Sequence, residues 1–173
     1  MNLRKNILTA LLLAIGFILH QLIPGMIVGM KFDLMLSIMF VSILINSDFK
    51  NSILTAIIGG FITAMTTTFP GGQIPNIIDK FVTCILVFLM IKIVGKYKEN
   101  QVFILAISFI GTIISGVVFL ISALFIVGLP APFNGLFLGI VLPTAITNVF
   151  MTIFIYNVVK VAIKLSGSKF IGN

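Results

Sequence analysis

The chain has 173 residues, 60% of them hydrophobic and 9% charged, with a mean hydropathy of +1.27. A water-soluble domain carries about 25% charged residues, so this balance excludes one and makes lipid the solvent. The net charge of +7 does not signal nucleic acid, because the basic residues stand singly or in small groups between apolar runs, and a lone Cys84 excludes an intrachain disulfide or a cysteine metal site.

The expected fold class is an all-α integral membrane protein with a single membrane domain over residues 1–173. A bilayer core about 30 Å thick takes about 20 apolar residues per spanning helix. Polar, Pro and Gly interruptions mark six apolar segments: about Ile7–Ile23, Asp33–Ile45, Ser52–Thr67, Asn76–Val94, Val102–Val127 and Phe133–Val159.

Arg4 and Lys5 precede the first segment as in a signal peptide, yet no small-residue cleavage pattern opens onto a soluble domain, so it reads as a retained helix. It carries Ala10 and Ala14 in an A-x-x-x-A pattern. His20, near its outer end, reads as a hydrogen-bonded structural histidine in preference to a ligand. The second segment is short: Leu34 to Ile45 covers only about 18 Å at about 1.5 Å per residue. It is expected to borrow length from its flanks, drawing Asp33 and Lys31 toward membrane depth, where charged groups persist only by facing protein or water and finding partners.

The third segment offers Ala56, Gly60 and Ala64 at four-residue spacing beside Thr55, Gly59 and Thr63, and the fifth offers Ser108, Gly111, Thr112, Ser115 and Gly116. Both stripes read as helix packing within the bundle. Asp79 is expected in the first turn of the fourth segment, after Pro75, where a carboxylate meets the helix dipole favourably. Cys84 reads as a packing residue, and Lys92 and Lys96 as reaching the inner headgroups. In the sixth segment, Thr144, Thr147 and Asn148 follow Pro143 and are expected to satisfy the backbone that the proline exposes.

With the N-terminus inside, Arg4, Lys5, Lys50, Lys92, Lys96, Lys98, Lys160, Lys164 and Lys169 fall on the cytoplasmic side, leaving only Lys31 and Lys80 outside. This nine-to-two split comes out only with six crossings and places both termini in the cytoplasm.

Catalytic signatures are missing: there is no paired-carboxylate motif, H-E-x-x-H, G-x-S-x-G or G-x-x-x-x-G-K-[ST]. Two of the four acids, Asp48 and Glu99, fall in expected cytoplasmic loops, so no catalytic residue, metal or cofactor is expected and an enzyme is disfavoured.

The polar residues instead converge on the outer side as a binding site. They are Lys31, Asp33, Thr66, Thr67, Thr68, Gln73, Asn76, Asp79, Lys80 and Asn134, interleaved with Met26, Met30, Phe32, Met35, Phe69 and Phe81. Apolar walls with a few charged and amide groups suit a small solute. Lys31 with Asp33, and Lys80 with Asp79, offer both signs that an amino acid zwitterion needs; the alternative is that each pair neutralises itself.

The stretches Gly29-Met30-Lys31-Phe32-Asp33-Leu34-Met35-Leu36-Ser37 and Thr66-Thr67-Thr68-Phe69-Pro70-Gly71-Gly72-Gln73-Ile74-Pro75-Asn76 resemble the signature loops of the bacterial tryptophan transporter TrpP family. Members of that family resemble the substrate-binding S components of energy-coupling-factor (ECF) transporters. The resemblance covers the whole chain and implies a six-helix S-component bundle in the bacterial plasma membrane that takes up L-tryptophan. It also implies a transmembrane T component and two cytoplasmic ATPases as partners, with Ala10 and Ala14 where the family places its docking face for the T component. Phe and Met would enclose the indole, a Thr, Asn or Gln would take its N–H, and Lys31 and Asp33 would address the zwitterion. The competing readings are an S component for a vitamin such as biotin or riboflavin, a carrier working alone, and a membrane scaffold similar to MreD-type cell-shape proteins.

Overall fold

The computed structural model describes residues 3–22, 31–95 and 100–166, and all the regular structure in them is helical. The helices are α1 (Leu3–Leu22), α2 (Leu34–Ile45), α3 (Phe49–Met65), α4 (Gln73–Ile93), α5 (Gln101–Ile126), α6 (Phe133–Leu136) and α7 (Leu142–Leu165), with a π-helical turn, Phe137–Val141, joining α6 to α7. Met26 and Met30 of the expected pocket wall, together with Lys96, Lys98, Glu99 and Lys169, lie outside the described residues.

Among the described residues, α1, α4, α5 and the continuous α6–α7 unit are long and apolar enough to cross a membrane, and α2 and α3 are shorter apolar helices. Their outward faces are greasy: Leu11, Ile15 and Ile18 on α1, Phe125 on α5, and Phe150 and Phe154 on α7 are all exposed. A water-soluble protein does not expose apolar surface on every side, whereas a bilayer requires it.

Helix α2 is the axis of the bundle. Every residue from Met35 to Leu44 is buried, and α1, α3, α4, α5 and α7 all pack on it. An apolar run without a polar face is what such a surrounded position needs. The expected lengthening of this helix does not occur. Asp33 ends it instead, its Oδ1 accepting from Leu36 N–H at 3.1 Å as an N-cap. Because neighbours sheath its backbone, α2 has no need of the length that direct contact with lipid would demand.

The small-residue stripes are the seams of the bundle. Gly60 brings α3 against the backbone of Ile77 on α4, where an added Cβ would stand 3.4 Å from the Ile77 Cα. Gly111 on α5 receives the ring of Phe40 from α2, and Cys84 is fully buried as a packing residue. At the end of the bundle where α2 stops and α3 starts, the Asn51 amide accepts from Thr9 Oγ1 at 2.7 Å and donates to the Asn46 carbonyl at 2.9 Å. Ser42 joins this network through Thr9 and Thr55, so buried polar groups of α1, α2 and α3 satisfy one another.

Two boundaries differ from expectation. Helix α4 begins at Gln73, three residues early, because Pro75 fits the first turn, where its missing N–H is not needed. Asp79 therefore lies in the second turn, and the helix-dipole account of it fails. The sixth segment is not one α-helix: the π-helical turn precedes Pro143, and the hydroxyls of Thr144 and Thr147 donate to the Ile140 and Pro143 carbonyls at 2.6 and 2.9 Å. These threonines satisfy backbone around the proline.

Candidate functional site

At the opposite end of the bundle, α1 and α3 finish while α2 and α4 begin, and a cleft opens between them and the middle of α5. Its empty space, open mouth included, is about 600 Å³. The turn from α3 into α4 forms one wall. There Gly71 adopts a φ of 71°, a left-handed conformation that suits glycine, and the turn folds Phe69 inward. Phe69 meets Phe119 of α5 edge to face, with ring centroids 5.4 Å apart.

Four charged side chains line this cleft: Lys31, Asp33, Asp79 and Lys80. Of the two sequence-adjacent pairs only Asp79 with Lys80 forms, and Lys80 does not serve Asp79 alone. Lys80, fully enclosed, is shared by two carboxylates: its Nζ stands 2.6 Å from Asp33 Oδ2 and also bonds Asp79 Oδ2. The second Asp79 oxygen accepts from Thr83 Oγ1 at 3.0 Å. Lys31 turns elsewhere, donating to the His20 carbonyl at 3.0 Å. That carbonyl belongs to the last turn of α1, where helix carbonyls lack intrahelical donors and a cation meets the negative end of the dipole. Partial burial lowers the Lys31 ammonium from its ordinary value, and the nearby Asp33 charge opposes that fall.

Asp33, Asp79 and Lys80 form a compact cluster with one formal negative charge in surplus, and Lys31 beside it has no carboxylate within ion-pair distance among the described residues. Buried charges are costly unless compensated, so the cluster favours an added cation and Lys31 an added anion.

Of the other residues expected here, Thr67, Thr68 and Asn76 line the cleft, Thr67 accepting from Phe69 N–H and Asn76 donating to the Gly72 carbonyl. Gln73 and Asn134 are exposed and stand outside the lining. The greasy wall also differs from expectation. Met35 is sealed in the core beneath Gly16, and Phe81 faces outward, because each residue along a helix turns by about 100° from the last. Phe119 on α5 with Ile140 and Val141 of the π-helical turn line the cleft instead.

Sequence reasoning did not assign those three to the site, nor Leu36, Thr63, Thr112, Ser115, Gly116 and Thr144, because small, hydroxyl-bearing or apolar residues on a buried helix face give no signal that separates a wall from a seam. His20 makes the hydrogen bond expected of a structural histidine, Nδ1 2.8 Å from Thr66 Oγ1, and also lines the cleft, with Nε2 3.7 Å from Asp33 Oδ1. Its position at the outer end of the first segment, level with Lys31 and Asp33, was the available signal. Among the described residues no group of three His, Cys, Asp or Glu side chains is placed to hold a metal ion.

Residues 2–164 match the family model described as tryptophan transporter TrpP. The chain is 44% identical over 165 residues to a probable tryptophan transport protein of Clostridium acetobutylicum, covering 95% of this chain and 96% of that one. A probable tryptophan transport protein of Bacillus subtilis is 43% identical over 166 residues, covering 96% of each chain, and one of Clostridium perfringens is 38% identical over 177 residues, covering 95% of this chain and 97% of that one. No solved structure matches. These relatives are named as probable tryptophan transport proteins, and the apolar helices suit a multi-pass protein of the bacterial plasma membrane. With a family model matched over nearly its whole length, the chain belongs to the tryptophan transporter TrpP family, a family of transporters and not of enzymes.

Proposed function

We propose that the chain binds L-tryptophan in this cleft and serves as the substrate-binding S component of an ECF-type importer. The observation that carries the binding half is the uneven charge distribution: a formally net-negative Asp33–Lys80–Asp79 cluster beside Lys31, which has no carboxylate within ion-pair distance among the described residues. A zwitterion completes both, its ammonium at the carboxylate cluster and its carboxylate at Lys31. The indole then lies among Phe69, Phe119, Ile140 and Val141. Thr144 has given its hydroxyl proton to the Ile140 carbonyl and keeps its lone pairs, which suits it to accept the indole N–H. Thr67, Thr68 and Asn76 shape the rim, while Gln73 and Asn134, exposed nearby, meet the ligand only on its way in.

Residues 1–173 act as one membrane domain crossing six times with both termini in the cytoplasm, a reading supported by the nine-to-two split of basic residues. The chain has no nucleotide-binding motif, so ATP-driven uptake requires a T component and two ATPase subunits. Ala10 and Ala14, both exposed on α1, are the docking face for the T component.

The chain contains no tryptophan, so bound ligand is visible by its own indole fluorescence in detergent-purified protein. Saturable binding of L-tryptophan is expected, and binding of another amino acid or a vitamin in its place would overturn the substrate. The partnership is tested by replacing Ala10 and Ala14 with Leu, which should abolish co-purification with the ATPases and leave binding intact. Uptake into ATP-free vesicles at the full rate would overturn the S-component role.

A further inference from the structure

His20 is structural on one side of its ring only. Its Nδ1 lies 2.8 Å from Thr66 Oγ1, and that hydroxyl lies 2.7 Å from the Ile62 carbonyl one turn back along α3, where it places its single proton. Thr66 therefore accepts from Nδ1–H, and Nε2 of the neutral ring keeps a lone pair. That lone pair is turned to Asp33 Oδ1 at 3.7 Å, beyond hydrogen-bond distance. Among the described residues Asp33 Oδ1 has one protein donor, the Leu36 N–H, while its other oxygen is held by Lys80. Two acceptors thus face each other at the edge of the cleft, across a gap that one cationic N–H donor would bridge with a hydrogen bond to each.

We propose that His20 Nε2 and Asp33 Oδ1 together form the seat of the ligand's primary ammonium, making His20 a binding residue that distinguishes amines from acids. This rests on the function proposed above and assigns one end of the zwitterion. The charged groups around the seat are Asp33 at the start of α2, Lys31 in the segment before it, and Asp79 and Lys80 on α4. Removing the Nε2 acceptor therefore weakens ammonium-bearing ligands and spares a ligand that offers only a carboxylate.

The test is calorimetry on the detergent-purified full chain at neutral pH. It compares L-tryptophan, tryptamine and indole-3-propionate in the wild type, His20→Leu and His20→Gln. The wild type should bind tryptophan more tightly than indole-3-propionate, which lacks the ammonium, a comparison that needs no variant to fold. His20→Leu should lose about tenfold or more in affinity for the two amines and bind indole-3-propionate within about twofold of the wild type. His20→Gln, which restores an acceptor, should recover part of the loss. Equal losses for tryptamine and indole-3-propionate in His20→Leu, or a wild type that binds indole-3-propionate as tightly as tryptophan, would overturn the seat while tryptophan binding stands. A wild type that binds none of the three would overturn the proposed function and the seat with it.

Discussion

Replacing Lys80 with Met tests whether this lysine is the electrostatic keystone of the cleft. The substitution keeps most of the stem volume and removes the ammonium that Asp33 and Asp79 share, leaving two carboxylates whose side chains are 18% and 1% exposed. Breaking a buried ion pair by deleting one partner costs about 3–5 kcal/mol, because the remaining charge is left uncompensated. For a chain of this size each kcal/mol moves the unfolding midpoint by about 2–4 °C, so a fall of roughly 6–20 °C is expected. Cys84 supplies the assay: it is fully buried, so a thiol-reactive dye added to detergent-solubilised protein during a temperature ramp labels it only on unfolding. The triple variant Lys80→Met, Asp33→Asn, Asp79→Asn removes the stranded charges with little change of shape and should recover most of the lost midpoint. A fall of less than about 3 °C in Lys80→Met, or no recovery in the triple variant, would refute the assignment of Lys80 as the shared counter-ion.

Lys31→Met should weaken L-tryptophan and indole-3-propionate by about 10- to 100-fold and leave tryptamine unchanged by calorimetry, since a charge-assisted contact is worth about 1.5–3 kcal/mol. Gly116→Ala should lower the Cys84 labelling midpoint and the affinity for tryptophan together, because the new Cβ meets Val141, a β-branched side chain with little rotamer freedom, at an overpacking cost of about 1–3 kcal/mol. Asn51→Leu should also lower the midpoint, because it strips partners from Thr9 and the Asn46 carbonyl at about 1–3 kcal/mol for each group left buried and unpaired. Its tryptophan affinity should stay within about twofold of the wild type, since this network sits at the far end of the bundle and a distant, independent site couples by no more than about 0.5 kcal/mol.

The helices and their seams were legible in the sequence because lipid leaves the backbone no alternative to internal hydrogen bonding, and small residues at four-residue spacing have few uses besides close helix contact. The polar membership of the cleft was largely legible too, since Lys31, Asp33, Asp79 and Lys80 sit in or beside apolar segments where an unused charge is not tolerated. Their partners were legible only in part. Adjacency in sequence suggested Lys31 with Asp33 and Asp79 with Lys80 as two self-sufficient pairs, and of these only Asp79 with Lys80 forms. The capping of α2 by Asp33 instead points that carboxylate at Lys80, and the unpaired end of α1 draws Lys31 away to the His20 carbonyl. Each of these is a local demand of helix termini, which a list of charges does not contain. The redistribution has a functional consequence. Two neutral pairs would need nothing from a ligand, whereas three charges on one side and one on the other leave complementary demands, which the proposed amino acid ligand would meet together and a lone anion or cation would not.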